Sequence, residues 1–380
     1  MPAADKSKPR KLVPLLLDWF AINARDLPWR RTHDPYAIWV SEIMLQQTQV
    51  KTVIPFWNRW MTELPTIADA ANASPDKLHK LWEGLGYYTR VRNLQKAAQA
   101  IVAQHDGKFP ESFDDVLALT GIGRYTAGAI CSIAFNHPAP ILDGNVIRVL
   151  TRIFGIAENP KEKATNAWLW QLAEELVTHA KDAKTAKAFS PSRPWRSLRE
   201  ENACSFLNQS LMELGALICT PRSPQCLVCP VKKLCVAFKE NRTEELPNLG
   251  KREAATARHF TAFVIEHNGK FLVQQRPAGV VNAHLWEFPN FETNGSPMKP
   301  GDLFKAQFKA SAPELVPLCT VKHSITRYRI TLQAFHLRVK NTALKTTGTW
   351  FSPAELDALA FSSAHKKLAS AAAKSILSDR

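Results

Sequence analysis

Apolar residues recur three or four positions apart through most of residues 12–235, the spacing of one helix face. That spacing predicts helices at Leu12–Ile22, Tyr36–Thr48, Val53–Trp60, Pro75–Leu81, Val91–His105, Phe113–Leu119, Tyr125–Phe135, Val146–Phe154, Thr165–Thr178 and Ala203–Ile218. Proline and glycine punctuate them, at Pro65, Gly84, Gly86, Pro110, Gly121, Gly123, Pro138, Pro140 and Pro160. Residues 181–200 are polar, basic and proline-containing and read as a surface loop, and Lys239–Ala257 reads as a linker. Beyond the linker the period changes. HFTAFVIEHNGKFLVQQRP holds two β-rich runs around His267-Asn268-Gly269, a hairpin signal. Further β-rich segments follow at Leu315–His323, Arg329–Val339 and Gly348–Phe351, with a helical tail from Ala354. The expectation is a mainly α domain over 1–238 followed by an α+β domain over 258–380.

Composition narrows the class. The chain has 380 residues, 45% hydrophobic and 22% charged, which excludes disorder, collagen-like repeats and a disulfide miniprotein. No apolar run approaches the roughly 18–20 residues of a membrane helix, so no membrane partner is expected. The polar N-terminus lacks the apolar core of a signal peptide, and a cytoplasmic protein is the default. The formal net charge is +15, with both halves of the chain basic. Nucleic acid is the commonest polyanion for such a field, although a soluble protein that is merely basic explains the charge equally well.

Four of the seven cysteines cluster as Cys219-x6-Cys226-x2-Cys229-x5-Cys235. A reducing compartment disfavours disulfides there, so the run reads as a metal site. Structural zinc usually takes two separated Cys-x2-Cys knuckles, whereas one compact run suits an iron–sulfur cube better. Arg222, Lys232 and Lys233 sit in the same loop and could meet phosphate. The other cysteines read as core or incidental.

Two carboxylates and one glycine pair carry further chemistry. In LALTGIGRYTAGAICSIAF, Gly121 and Gly123 let backbone approach a neighbour closely, and the helix starting near Arg124 offers free amides to a phosphate. A plain tight helix turn explains that pair about as well. Asp143 precedes a helix, where a capping carboxylate is the ordinary explanation, and the helix dipole is expected to hold it ionised. Glu42 lies in YAIWVSEIMLQQTQV, apolar on most sides, where burial would raise its pKa until it carries a proton. A solvent-facing glutamate is the plainer alternative.

Together these segments resemble the helix-hairpin-helix DNA glycosylases with an iron–sulfur cluster, and within them the adenine DNA glycosylases (the MutY family). The matching stretches are LPWR (27–30), SEIMLQQTQV (41–50), LWEGLGYYTRVRNL (81–94), TGIGRYTAGAI (120–130), LDGNVIRVLTR (142–152), LNQSLMELGALIC (207–219) and the four-cysteine run. LWEFPNF (285–291) and the 259–277 hairpin resemble that family's Nudix-like C-terminal module.

The resemblance implies a two-lobed helical glycosylase domain with its hairpin near 113–135, a 4Fe-4S cluster on Cys219, Cys226, Cys229 and Cys235, and a Nudix-like domain that reads the base opposite adenine. It implies removal of adenine mispaired with 8-oxoguanine or guanine in double-stranded DNA, by a monomer. Glu42 would protonate the adenine and Asp143 would stabilise the sugar cation, assisted by Tyr125 and Asn145. Arg25, Trp29, Arg30, Leu45 and Gln209 would line the adenine pocket. Gln47, Thr48 and Tyr87 would wedge around the opposite base, and Gly121, Gly123 and Arg124 would contact phosphate.

Rival readings lack a part. An endonuclease III-like glycosylase/lyase needs a lysine amine near the start of the second hairpin helix, where this chain has Tyr125. A Nudix pyrophosphohydrolase needs a glutamate-rich metal box, and residues 287–320 hold only Glu287, Glu292, Asp302 and Glu314. A DNA-binding protein without catalysis would not need both Glu42 and Asp143. One departure from the family stands out. Its Phe-Ser-His lesion-reading loop is here Ile325-Thr326-Arg327, so Thr326 keeps the hydroxyl while Arg327 adds a permanent charge.

Overall fold

Helices form where the apolar period predicts them. The computed structural model describes residues 7–182, 202–251, 254–293, 298–325, 327–342 and 344–378. Twelve helices are described before residue 252: α1 Lys8–Asn23, α2 Pro35–Leu45, α3 Val50–Glu63, α4 Ile67–Asn72, α5 Pro75–Trp82, α6 Thr89–Gln104, α7 Phe113–Ala118, α8 Arg124–Phe135, α9 Gly144–Phe154, α10 Lys163–Asp182, α11 Ala203–Leu217 and α12 Val236–Lys239. The chain divides into two units, Met1–Asn72 with Asn93–Arg252, and Ala73–Arg92 with Glu253–Arg380.

The first unit is built on apolar helix faces. Leu12 and Leu16 of α1, Val149 and Leu150 of α9, Leu172 and Leu176 of α10, and Leu207 and Leu211 of α11 meet in one buried cluster. Each such side chain contributes roughly 1.5–3 kcal/mol by leaving water. The helix starts follow local chemistry. Asp34 caps α2 by accepting from the Tyr36 amide, with Pro35 at its first position. Asp143 caps α9, which Gly155 closes in the left-handed region (φ 71°). The hairpin of α7 and α8 turns through Gly121 (φ 83°), where a Cβ would lie 2.6 Å from the Asn93 side chain.

Two expectations for this unit change. Helix α2 stops at Leu45 rather than running to Thr48, because Gln47 takes a left-handed backbone (φ 56°) and the Thr48 amide bonds back to Leu45. Residues 239–251 are not a loose linker: Leu246 is buried and its carbonyl accepts from Arg152 Nε at 2.8 Å.

The second unit is a mixed sheet between helices. Strand β1 (Thr256–His267) runs parallel to β6 (Tyr328–Arg338) along its whole length and antiparallel to β2 (Lys270–Gln275) and β4 (Asn290–Glu292). Beyond these, β3 (Trp286–Glu287) and β7 (Thr349–Phe351) pair with β2, and β5 (Val316–Ile325) pairs with β6. Asn268 and Gly269, both at positive φ, make the expected tight turn between β1 and β2. One sheet face packs on α13 (Pro300–Phe308) through Phe263, Ile265, Phe304 and Phe308. The other packs on α14 (Pro353–Ala358) and α15 (Ser363–Ser378) through Val264, Phe271, Leu356 and Leu368.

Segment 73–92, expected within the helical domain, groups with this sheet. The Glu83 carboxylate accepts from the Phe361 amide at 3.0 Å, and Arg92 Nη1 donates to the Ala283 carbonyl at 3.2 Å.

Candidate active site

A cavity of about 450 Å³ in the first unit gathers residues from distant parts of the chain. Helix α2 supplies Glu42 and Leu45, and the turn after it supplies Gln47 and Thr48. The start of α8 supplies Tyr125, the start of α9 Asp143 and Asn145, helix α11 Gln209, and the 25–30 segment Arg25, Trp29 and Arg30. Eleven expected residues therefore line one space.

Glu42 is 5% exposed, and burial pushes its carboxyl up to about 7. The Tyr125 hydroxyl, donating to Oε2 at 2.9 Å, opposes that rise, and the negative charge of Asp143 adds to it. A carboxyl poised there can carry a proton at neutral pH and deliver it. Asp143 differs in its partners. Its Oδ1 accepts from the Val146 amide at 2.7 Å and its Oδ2 from Asn145 Nδ2 at 3.1 Å. The expectation that the helix dipole alone keeps this group low is corrected here: burial raises the Asp143 pKa, and the two hydrogen bonds only offset it in part.

Asn145 is itself held. Arg148 Nη2 donates to Asn145 Oδ1 at 2.8 Å and to the Gly215 carbonyl at 2.8 Å, while its Nε donates to the Cys219 carbonyl at 2.7 Å. Gly215 permits this approach, since a Cβ there would sit 2.7 Å from Asn145 Cβ.

The opposite wall is an ion cluster that the sequence did not disclose. Glu213, 1% exposed, accepts from Arg25 Nε and Nη2 at 2.8 and 2.7 Å and from Arg30 Nη1 and Nη2 at 3.1 and 3.0 Å. Burial would raise its carboxyl, but the two guanidiniums bring it down to about 2. Arg30 Nε also donates to Gln209 Oε1 at 3.0 Å. The available signal was Glu213 four residues after Gln209 on an otherwise apolar helix. Met212, whose sulfur lies 3.2 Å from the Tyr125 hydroxyl, was missed as well.

Other expected residues lie elsewhere. Tyr87 belongs to the second unit, exposed and at φ 48°. Thr326 and most of loop 181–200 fall outside the described residues. Gly123 is the N-cap of α8, with open space where a Cβ would stand. The Arg124 guanidinium lies over the Trp170 ring at 4.0 Å, so this exposed cation is partly engaged by an aromatic face.

The four clustered cysteines line a second cavity with Arg152, Val231 and Phe238. No three of them close around a single metal ion. The donors suit a larger group: four sulfurs, backbone amides at Val231 and Phe238 facing Cys229 and Cys235, and Arg152 Nη1 at 3.4 Å from Cys219 Sγ. Burial pushes the Cys229 thiol up to about 12, so thiolates there need a positive partner. That donor set fits an iron–sulfur cluster.

Comparison with known proteins agrees with this geometry. Residues 40–175 match the HhH-GPD superfamily base excision DNA repair protein family, 219–235 the iron-sulfur binding domain of endonuclease III, and 261–371 the NUDIX domain. The human adenine DNA glycosylase is 34% identical over 416 residues, covering 93% of this chain and 72% of that one. The Buchnera aphidicola (Schizaphis graminum) enzyme of the same name is 38% identical over 280 residues, covering 73% and 74%. The chain belongs to the adenine DNA glycosylase family. It is therefore a base-excision-repair glycosylase, a hydrolase of N-glycosyl bonds in DNA, and it carries a 4Fe-4S cluster.

The Arabidopsis thaliana adenine DNA glycosylase is 39% identical over 330 residues, covering 76% of this chain and 49% of its own length. Among solved structures, a thermostable thymine-DNA glycosylase superposes with a TM-score of 0.52 at 29% identity, covering 62% of this chain and 98% of that one. No helix among the described residues is long and apolar enough to cross a membrane.

Proposed function

We propose that this glycosylase removes adenine mispaired with 8-oxoguanine or guanine and leaves the DNA strand intact. The single observation that carries the proposal is the pair of buried carboxylates, Glu42 and Asp143, set in one cavity with different partners. Adenine inside a duplex is out of reach, so it is flipped into this cavity. Neutral adenine is a poor leaving group. Glu42, with its pKa near 7, protonates the ring and lets the bond break.

Bond breaking leaves oxocarbenium-like charge on the sugar, which the Asp143 carboxylate stabilises or transiently bonds, as paired carboxylates do in sugar hydrolysis. Asn145 positions that carboxylate, and Tyr125 positions the acid. The Arg25–Glu213–Arg30 cluster fixes the wall against which the base stacks and presents Gln209 to its edge. Cys219, Cys226, Cys229 and Cys235 would hold the cluster, which would cross-link the basic loop that carries Arg222, Lys232 and Lys233.

The position of Tyr125 supports a monofunctional reaction, since a phenol cannot form the Schiff base that strand cleavage by a lyase requires. The opposite base is read by the second unit, through Tyr87 and the Ile325-Thr326-Arg327 sequence. Single-turnover excision on duplexes with adenine opposite 8-oxoguanine, guanine and cytosine tests the reading. Rates falling in that order support it; equal rates on all three defeat it.

A further inference from the structure

The Tyr125 hydroxyl has one proton and two acceptors. Among the described residues it lies 2.9 Å from Glu42 Oε2 and 3.2 Å from Met212 Sδ. Burial and the charges of Glu42 and Asp143 hold the phenol well above its usual pKa, so it stays protonated while Glu42 titrates. A carboxylate is a far stronger acceptor than a thioether, so ionised Glu42 takes the phenol proton. The ranking changes once Glu42 is protonated. Its oxygen has lost the charge that drew the phenol, and its new O–H is itself a buried donor in need of an acceptor. The phenol oxygen can accept from that O–H only when the phenol's own proton turns elsewhere. Among the described residues, Met212 Sδ is the other acceptor within reach.

The fold holds the sulfur there. Met212 lies on α11 and lines the cavity with Glu42, Tyr125 and Asp143. Met212 and Tyr125 both pack on the buried cluster of α1, α9, α10 and α11. On the same helix Glu213 is clamped by Arg25 and Arg30, and Gln209 by Arg30, which fastens α11 to the 25–30 segment beside Met212. Tyr125 apart, the charged groups that bear on Glu42 are Asp143, which raises its pKa, and Arg30, which lowers it. Arg25 and Glu213 line the same cavity and are paired with each other. A leucine would fill the place of Met212 as well, but it would bring no acceptor.

We propose that Met212 is a positioning residue for the acid: its sulfur takes the Tyr125 proton when Glu42 is protonated, so the Tyr125–Glu42 contact serves both states of the carboxyl. The consequence is a protonated Glu42 that is better satisfied than burial alone would leave it. The proposal rests on Glu42 acting as the acid of the excision reaction, but its own readout is the titration of the carboxyl, which does not depend on that role.

The test follows Glu42 itself in the full chain with its cluster bound. Infrared difference spectra across neutral pH report the carbonyl stretch of the protonated carboxyl, and the band missing in Glu42→Gln is the one that belongs to Glu42. Met212→Leu keeps the volume and removes the acceptor. It should move the midpoint of that band to lower pH by about 0.5–1 unit, the worth of one neutral hydrogen bond. Met212→Gln returns an acceptor of similar reach and should bring the midpoint back toward that of the wild type. The alkaline limb of single-turnover adenine excision should move in the same order. Unchanged melting temperature and cluster absorbance keep either shift from being a folding defect. A midpoint that stays in place in Met212→Leu overturns the proposal. So does one that falls equally in Met212→Gln, since volume rather than an acceptor would then set it. A midpoint that moves as expected while the excision limb does not would uphold the role of Met212 and defeat the reading of Glu42 as the acid.

Discussion

The Tyr125 hydroxyl donates to Glu42 Oε2 across 2.9 Å, and this bond joins the start of the second hairpin helix to the buried acid of α2. It stabilises the charged form of Glu42 against a burial that favours the neutral one. The balance leaves the carboxyl near 7, where it can both hold and release a proton.

Glu42→Gln should lower single-turnover adenine excision at least about 10²-fold, the usual worth of a general acid, while duplex affinity stays within a few-fold. The same variant has a stability signature. Because burial raises the folded pKa from 4.5 to about 7, ionising Glu42 costs the wild type stability as pH rises through that window. Unfolding scans should find the variant gaining on the wild type between those pH values and the gap flat above them. Excision within about tenfold of wild type would remove Glu42 from the acid role.

Tyr125→Phe deletes the hydrogen bond that lowers the Glu42 pKa and leaves the Arg30 charge to oppose burial, so the acid becomes weaker. The excision rate of the wild type should fall as pH rises through about 7. In the variant that alkaline limb should move upward by about 1–2 units, since a hydrogen bond to a charged group is worth about 1.5–3 kcal/mol. A limb that stays in place would mean that it reports some other group.

Asn145→Ala acts on the second carboxylate. Without its donor, the Asp143 pKa, already raised by burial, should rise further. Asp143 works ionised, so the acid limb of the pH–rate profile should shift to higher pH and the plateau rate drop about 10-fold or more. Iron content should not change. An unshifted acid limb would separate Asn145 from the cation-stabilising group.

Arg152 donates to the Leu246, Thr220 and Pro221 carbonyls and to Cys219 Sγ from a site 2% exposed. Arg152→Met leaves the buried Leu246 carbonyl unpaired, at about 1–3 kcal/mol, and removes the donor to the part-buried Thr220 and Pro221 carbonyls. The expected result is a lower melting temperature and substoichiometric iron in the purified protein. Full iron content with wild-type melting would show that the loop is held by other contacts.

Much of this was legible in the chain. The helices of the first unit carry their period openly, and Glu42, Asp143 and the cysteine run sit in motifs with specific spacing. Helix α13 escaped notice because nine residues with three core side chains make too short a pattern. The grouping of 73–92 with the sheet was invisible because it depends on Glu83 meeting an amide at Phe361, 278 positions away. Glu213 was overlooked for the same reason, since its partners Arg25 and Arg30 lie more than 180 positions upstream. For Asp143 the helix dipole was weighed without the desolvation that outweighs it, a quantity that only the packed cavity fixes.

The central claim is hydrolytic removal of adenine from a mispair without strand cleavage. The most direct measurement is one reaction on a duplex with adenine opposite 8-oxoguanine, quantifying released adenine and strand breaks before and after alkali, with borohydride present in a parallel sample. The account predicts stoichiometric free adenine, breaks only after alkali, and no protein trapped on DNA. Strand breaks without alkali that match the adenine released, with protein covalently trapped by borohydride, would contradict it.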